Sequence, residues 1–134
     1  MNDLEHAKLL LSMAKKDLKA LEGMEDAQVF EDEIFGFHTQ QAAEKALKSW
    51  LSAVGVAYPK THNLRLLLAL LADSGEAVES FWDLIEYNAF AVQIRYEGLE
   101  LSEEPLDREL ALRRAREVIG RVEELIVRHT PDGF

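Results

Sequence analysis

The sequence predicts an all-α protein, an up-and-down four-helix bundle with a short additional helix between helices two and four. Three observations predict this fold class. The 134-residue chain has the length of one ordinary domain, and 48% of its residues are hydrophobic. It has only three prolines and no run of β-branched residues, which a strand would favour. Apolar residues recur at intervals of three and four, as on one face of a helix. We therefore expect residues 1–134 to form one helical domain.

The first two predicted helices are long and amphipathic. Helix one, over residues 3–21, has Asp3 as its N-cap and ends before Gly23, because a left-handed residue commonly ends a helix. Helix two, over residues 32–54, ends before Gly55 in the same way. The apolar stripes are Leu4, Leu11, Ala14, Leu18 and Leu21 in helix one, and Phe35, Ala42, Ala46, Trp50 and Val54 in helix two.

The other three predicted helices differ in length and apolarity. Helix three, over residues 63–72, is short and apolar on nearly all sides, so we expect it to be wedged between other helices. Helices four and five, over residues 76–97 and 106–129, are long, and short loops between long helices favour antiparallel neighbours. Their apolar stripes are Phe81, Ile85, Ala89, Val92 and Tyr96, and Ala111, Ala115, Val118, Val122 and Leu125.

Composition excludes several classes of function. The chain has no cysteine, so disulfides, thiolate chemistry and cysteine-ligated zinc are excluded. No apolar run reaches the length of a membrane span, and the N-terminus lacks the pattern of a signal peptide. We expect a cytoplasmic protein that does not contact a membrane. The net charge of −10 disfavours non-specific binding to nucleic acid, whose affinity comes largely from phosphate neutralisation.

Helix two carries the first candidate ligand-binding surface, inside the one positively charged part of the chain. At 100° per residue, His38, Gln41, Lys45 and Lys48 fall within a sector of about 80°. Two ammonium groups about one turn apart suit an anionic ligand. The alternative is a solvated helix face on which Glu44 and Lys48 form an ordinary ion pair four residues apart.

The segment over residues 58–63 is the second candidate, because it leads into helix three. Thr61 or Asn63 can cap that helix, whose N-terminus offers free N–H groups and the positive end of a dipole to an anion. Lys60 and His62 lie at the same place. The alternative is that His62 and Asn63 only cap the helix and brace the loop against the bundle. The sequence leaves both open.

Arg95 is the third candidate, since it is the one cation of residues 66–106, which contain nine carboxylates. A lone arginine in an acidic, apolar helix is either paired with a carboxylate or held for a ligand phosphate. Elsewhere, the four histidines make no pair at metal-ligand spacing on one helix. We therefore expect neither a metal site nor a cofactor.

Three runs of sequence together resemble a prokaryotic HEPN domain. They are FHTQQAAEKALKSWL over residues 37–51, YPKTHNLRLLL over 58–68, and IRYEG over 94–98. In this order and spacing, the resemblance covers nearly the whole chain. It implies a helical bundle that forms a homodimer, partners a minimal nucleotidyltransferase protein and binds a nucleotide or a similar small anion.

Some members of that family are ribonuclease toxins of toxin–antitoxin pairs, with an arginine followed after four to six residues by a histidine. Arg95 matches the arginine, but the next seven residues contain no histidine. Arginine stays charged and cannot exchange the protons that metal-independent RNA cleavage requires. The sequence therefore favours a non-catalytic module and assigns no catalytic residue. A ribonuclease with a degenerate motif and a ligand-free helical scaffold remain alternatives.

Five residues make up the predicted nucleotide-binding site. We also expect the homodimer on physical grounds, because helix three is very apolar and large apolar side chains lie on wide helix faces. The predicted ligand-binding residues are Lys45, Lys48, Lys60, His62 and Arg95, and the apolar residues behind the dimer prediction are Phe37, Leu51, Phe81 and Trp82.

Overall fold

The computed structural model describes residues 3–26, 28–91 and 105–129, and all regular structure in these ranges is helical. This confirms the predicted all-helical fold class, including the short helix between the second and fourth helices of the chain. None of the described helices is long and apolar enough to cross a membrane. The elements are α1 (Asp3–Glu22), α2 (Asp32–Ala53), α3 (Leu64–Asp73), a 3₁₀ helix (Glu79–Phe90) and α4 (Arg108–His129).

Helix α2 is the centre of the bundle, because it packs against each of the other four helices. Thirteen of its 22 residues are buried, among them the fully buried Phe35 and Trp50. Small residues let α1 approach it closely, and the Ser49 hydroxyl donates a hydrogen bond to the Ala7 carbonyl across a distance of 2.6 Å. A single hydrophobic cluster joins residues from all five helices.

The fourth element differs from the α-helix predicted over residues 76–97. It is a 3₁₀ helix that begins at Glu79, and the part of the prediction beyond residue 91 lies outside the described residues. A 3₁₀ helix has three residues per turn, so every third side chain faces the same way. The segment buries such a series instead of the predicted stripe, in which Ile85 and Ala89 are only half-buried. The buried series is Val78, Phe81, Leu84, Tyr87 and Phe90.

Helix α3 is wedged between α2 and the 3₁₀ helix, as its apolar sequence predicts. The dimer prediction loses part of its basis, however, because Leu51 and Phe81 lie in the core of one chain. Phe37 and Trp82 are half-buried. The prediction assumes that the apolar faces of α2 and the 3₁₀ helix are too wide for one bundle to cover. In the structure, these two helices pack against each other, and α3 packs against both of them.

Candidate functional site

Glu44 accepts hydrogen bonds from three side chains at the junction of α2 and the start of α3. Its side chain is only 6% exposed. One carboxylate oxygen, Oε1, lies 2.9 Å from Gln40 Nε2 and 3.0 Å from His62 Nδ1. The other, Oε2, lies 2.9 Å from the Lys48 ammonium. We call Gln40, Glu44, Lys48 and His62 the Glu44 cluster.

The charge of Glu44 is stabilised by these donors. Burial opposes ionisation, but the hydrogen bonds from Gln40, Lys48 and His62 outweigh it, and together with the Lys48 charge they hold the pKa of Glu44 below its ordinary value. An ionised carboxylate can only accept, so His62 carries a proton on Nδ1. The second ring nitrogen, Nε2, has no hydrogen-bond partner among the described residues, and the side chain is 59% exposed.

The start of α3 is capped by asparagine side chains, which corrects one part of the predicted site. Asn63 is the N-cap, and its Oδ1 accepts from the Arg65 and Leu66 N–H groups at 3.0 and 3.4 Å. The Leu64 N–H donates to Asn88 Oδ1 at 2.8 Å. These are the N–H groups that we expected to be available to an anion. They are already hydrogen-bonded, so an anion here must be bound by side chains.

The two lysines of the α2 stripe contact different carboxylates. Lys45 Nζ lies 2.7 Å from Asp17 Oδ2 on α1, whereas Lys48 contacts Glu44. His38 also contacts Asp17, with its Nδ1 at 3.2 Å from Oδ1. We call Asp17, His38 and Lys45 the Asp17 cluster. The Glu44–Lys48 contact is the ordinary ion pair that the sequence offered as an alternative, but it occurs within a larger buried network.

The remaining predicted residues lie in or beyond the loop before α3. Lys60 is exposed, two residues before His62. Tyr58 braces the loop, because its ring centroid lies 5.8 Å from Lys48 Nζ and its hydroxyl lies 3.2 Å from His6 Nε2. Arg95 lies outside the described residues. The structure therefore brings Lys48 and His62 together on one carboxylate and separates Lys45 from them.

Sequence reasoning missed the carboxylates that organise this surface. From the sequence, Glu44 is predicted only to pair with Lys48, and no prediction concerns Asp17. A signal was present at Glu44, since it has Gln40 four residues before it and Lys48 four residues after it. Both flanking residues fall on the same face as Glu44 and extend over a turn of helix on each side.

Two kinds of chemistry are open to this arrangement. Lys48, Lys60 and His62 present cationic or donor groups that can hold an anion. Alternatively, His62 can accept a proton at Nε2 while Glu44 orients its ring. Within the three described ranges, no group of three or more histidine, aspartate or glutamate residues is arranged to hold a metal ion.

The helices and the polar, partly buried cluster at the start of α3 define this protein as a small helical-bundle domain. The model of the HEPN domain family matches residues 7–125, which is most of the chain. The chain therefore belongs to the HEPN domain family. No curated protein and no solved structure matches it significantly.

Proposed function

We propose that this chain is a non-catalytic nucleotide-binding and dimerisation module that acts with a minimal nucleotidyltransferase. The observation that carries the binding proposal is the Glu44 cluster, which joins Lys48 of α2 and His62 of the α3 loop on one buried carboxylate. The network fixes the position of both side chains, and exposed Lys60 lies two residues away in sequence. Such a preordered set of donors lowers the entropic cost of holding a phosphate group.

The net charge of the cluster is consistent with a nucleotide rather than a nucleic acid. Glu44 offsets the charge of Lys48, so the excess positive charge comes from Lys60 and, when its ring is protonated, from His62. That is enough for one phosphate group, whereas a nucleic acid requires a long track of cations. The proposed site also includes Lys45, which lies in the neighbouring Asp17 cluster, and Arg95, which lies outside the described residues.

Calorimetric titration of ATP and GTP tests the binding proposal. We expect Lys60→Ala and His62→Gln each to weaken binding several-fold and their combination to weaken it by about tenfold or more, since each removes a charge-assisted contact. Lys16→Ala is the matched control, because Lys16 is an exposed lysine on α1. Equal affinities in wild type and the double variant, with the fold intact, would contradict the proposed site. Unrelated duplex DNA should not bind at physiological salt.

A ribonuclease is the second candidate, and the Glu44–His62 contact is what favours it. A histidine oriented by a carboxylate is an arrangement found in general bases, and Nε2 of the exposed His62 ring can take a proton from a ribose hydroxyl. Purified protein that cleaves RNA in EDTA, and loses this activity in His62→Gln, would replace the binding proposal with this one.

The dimerisation proposal rests on exposed apolar side chains of the described residues. Leu9 and Met13 lie one turn apart on α1 and are 46% and 37% exposed, and Leu66 on α3 is 36% exposed. Light scattering at high micromolar concentration should give the mass of two chains. A clean monomer would contradict the proposal. Co-expression with a minimal nucleotidyltransferase encoded by an adjacent gene, followed by co-purification, tests the partner.

A further inference from the structure

The Asp17 cluster repeats the histidine and lysine contacts of the Glu44 cluster, without a counterpart of Gln40. In each cluster, one oxygen of a largely buried carboxylate faces Nδ1 of a histidine and the other faces the ammonium of a lysine. The carboxylate side chains are 13% and 6% exposed. Both lysines belong to the same face of α2. The proposed function uses one of these two clusters and only the lysine of the other.

The second ring nitrogen of His38, Nε2, is not used by Asp17. Because Nδ1 faces Asp17, Nε2 points to the other side of the ring, and the side chain is 31% exposed. The neighbouring ring of Phe37 meets His38 edge to face at 5.5 Å and limits its orientations. No described residue contacts Nε2 through a hydrogen bond. When the His38 ring is protonated, the Asp17 cluster thus offers an imidazolium N–H and an ammonium group to an anion, the same pair that the Glu44 cluster offers.

The two clusters lie side by side but diverge. Lys45 and Lys48 are three residues apart, so their Cβ atoms are about 5–6 Å apart. From there, Lys45 reaches toward α1 and Lys48 toward Glu44 on the side of the α3 loop. Gln41 lies one turn before Lys45 on the same helix face, and its amide donates to Gln40 Oε1 at 2.7 Å. Anionic groups seated on the two clusters are therefore further apart than adjacent phosphates of a linear polyphosphate, which share a bridging oxygen.

We propose that the Asp17 cluster is a second anion subsite, in which His38 is a ligand-binding residue beside Lys45. The ligand of this face is then a nucleotide whose two phosphate groups share no bridging oxygen, one for each cluster, rather than a nucleoside diphosphate. This inference rests on the proposed function, because the first phosphate occupies the Glu44 cluster. It adds His38 to the site and specifies how the phosphates of the ligand are placed.

Titration of three adenine nucleotides tests the inference. Adenosine 3′,5′-bisphosphate and ADP carry the same number of phosphates, and AMP provides the reference with one. We expect the bisphosphate to bind wild type about tenfold tighter than either ADP or AMP. His38→Gln should remove this advantage and leave the affinity for AMP unchanged. His129→Gln, at an exposed histidine near the end of α4, is the matched control and should change neither affinity.

The outcomes separate this inference from the proposed function. If AMP binds in a His62-dependent manner but the bisphosphate and ADP bind equally, the second subsite is wrong and the proposed function stands. The same conclusion follows if the bisphosphate advantage survives in both His38→Gln and Lys45→Gln, since the cluster then only ties α1 to α2. If neither AMP nor ATP binds wild type, the proposed function fails and this inference fails with it. Thermal unfolding of each variant shows that the fold is intact.

Discussion

The carboxylate of Glu44 and the imidazole of His62 lie 3.0 Å apart, although 18 residues separate them in sequence. Glu44 belongs to the most buried helix, and His62 to an exposed loop. The contact therefore fixes the loop before α3 to the centre of the bundle. A second bond does the same for the backbone, because Gln40 Nε2 donates to the His62 carbonyl at 3.0 Å. The candidate site and the anchoring of the loop depend on the same residues.

The first prediction concerns the contribution of Glu44 to stability. Glu44→Gln should lower the free energy of unfolding near neutral pH by about 1–3 kcal/mol, because it leaves the Lys48 ammonium, 14% exposed, without a counter-charge. Urea denaturation measures the change. Glu124→Gln, at an exposed position of α4, is the control and should be nearly neutral.

The stability of Glu44→Gln should also depend on pH differently from that of wild type. The pKa of Glu44 is held below its ordinary value of 4.5 in the folded chain. The stability that comes from this shift is therefore present above about pH 4.5 and is lost as the pH falls through the lower folded pKa. The difference in the free energy of unfolding between wild type and Glu44→Gln should become smaller as the pH falls through that range. A difference that stays constant down to the acid transition would contradict the role of the charge.

The second prediction uses two glycines with opposite surroundings. A Cβ at Gly36 of α2 would overlap the ring of Phe90, whereas a Cβ at Gly120 of α4 would meet open space. Gly36→Ala should lower the free energy of unfolding by about 1–3 kcal/mol through overpacking. Gly120→Ala should raise it by about 0.5–1 kcal/mol, because alanine is the better helix former. Thermal or urea unfolding measures both, and two shifts of the same sign would contradict the packing of α2 against the 3₁₀ helix.

Most of the fold could be predicted because the helix ends are marked in the sequence. The predicted bounds of helices one, two, three and five agree with the structure within two residues. Gly55 and Gly75 have positive φ angles of 76° and 88° and follow helices α2 and α3, as glycines at helix ends commonly do. The 3₁₀ helix was missed because Phe81 belongs both to the predicted α-helical stripe and to the series of every third residue that a 3₁₀ helix buries. The period of three is visible in the burial of Leu84, Tyr87 and Phe90, whereas Ile85 and Ala89 of the predicted stripe are only half-buried.

The candidate site could be predicted less well, because it depends on contacts between distant residues. The stripe of α2 identified His38, Lys45 and Lys48, since helix geometry alone determines which residues share a face. Nothing in the local sequence indicates that Asp17 contacts both His38 and Lys45. Nor does it indicate that Asn88 accepts a hydrogen bond from the first N–H group of α3. Those contacts depend on how α1 and the 3₁₀ helix pack against the bundle.

The third prediction concerns the cap of α3. Asn63→Ala should lower the free energy of unfolding by about 1 kcal/mol, because it leaves the Arg65 and Leu66 N–H groups without their acceptor. Asn63→Asp should remain close to wild type, since aspartate caps equally well and its charge is favourable at a helix N-terminus. Urea denaturation of the three proteins measures the order. If alanine and aspartate are equivalent at this position, the cap does not stabilise the helix.

The last prediction concerns Arg108, which joins the start of α4 to the segment between α1 and α2. Its guanidinium donates to the carbonyls of Met24 and Phe30 and to Asp32 Oδ1, and its side chain is only 9% exposed. It also lies 4.9 Å from the centroid of the Phe35 ring. Three acceptors in different directions need the planar, five-donor fork of arginine.

Substitutions at Arg108 should therefore separate the geometry of the guanidinium from its charge. Arg108→Lys keeps the charge but cannot reach all three acceptors, and we expect a loss of about 1–3 kcal/mol in the free energy of unfolding. Arg108→Met should lose more, because Asp32 is then left without its cation as well. Arg113→Lys is the control, since Arg113 is 68% exposed and its contact with the Glu117 carboxylate is long, at 3.9 Å. A Lys variant as stable as wild type would mean that charge alone holds this junction together, and that the carbonyls of Met24 and Phe30 find other donors.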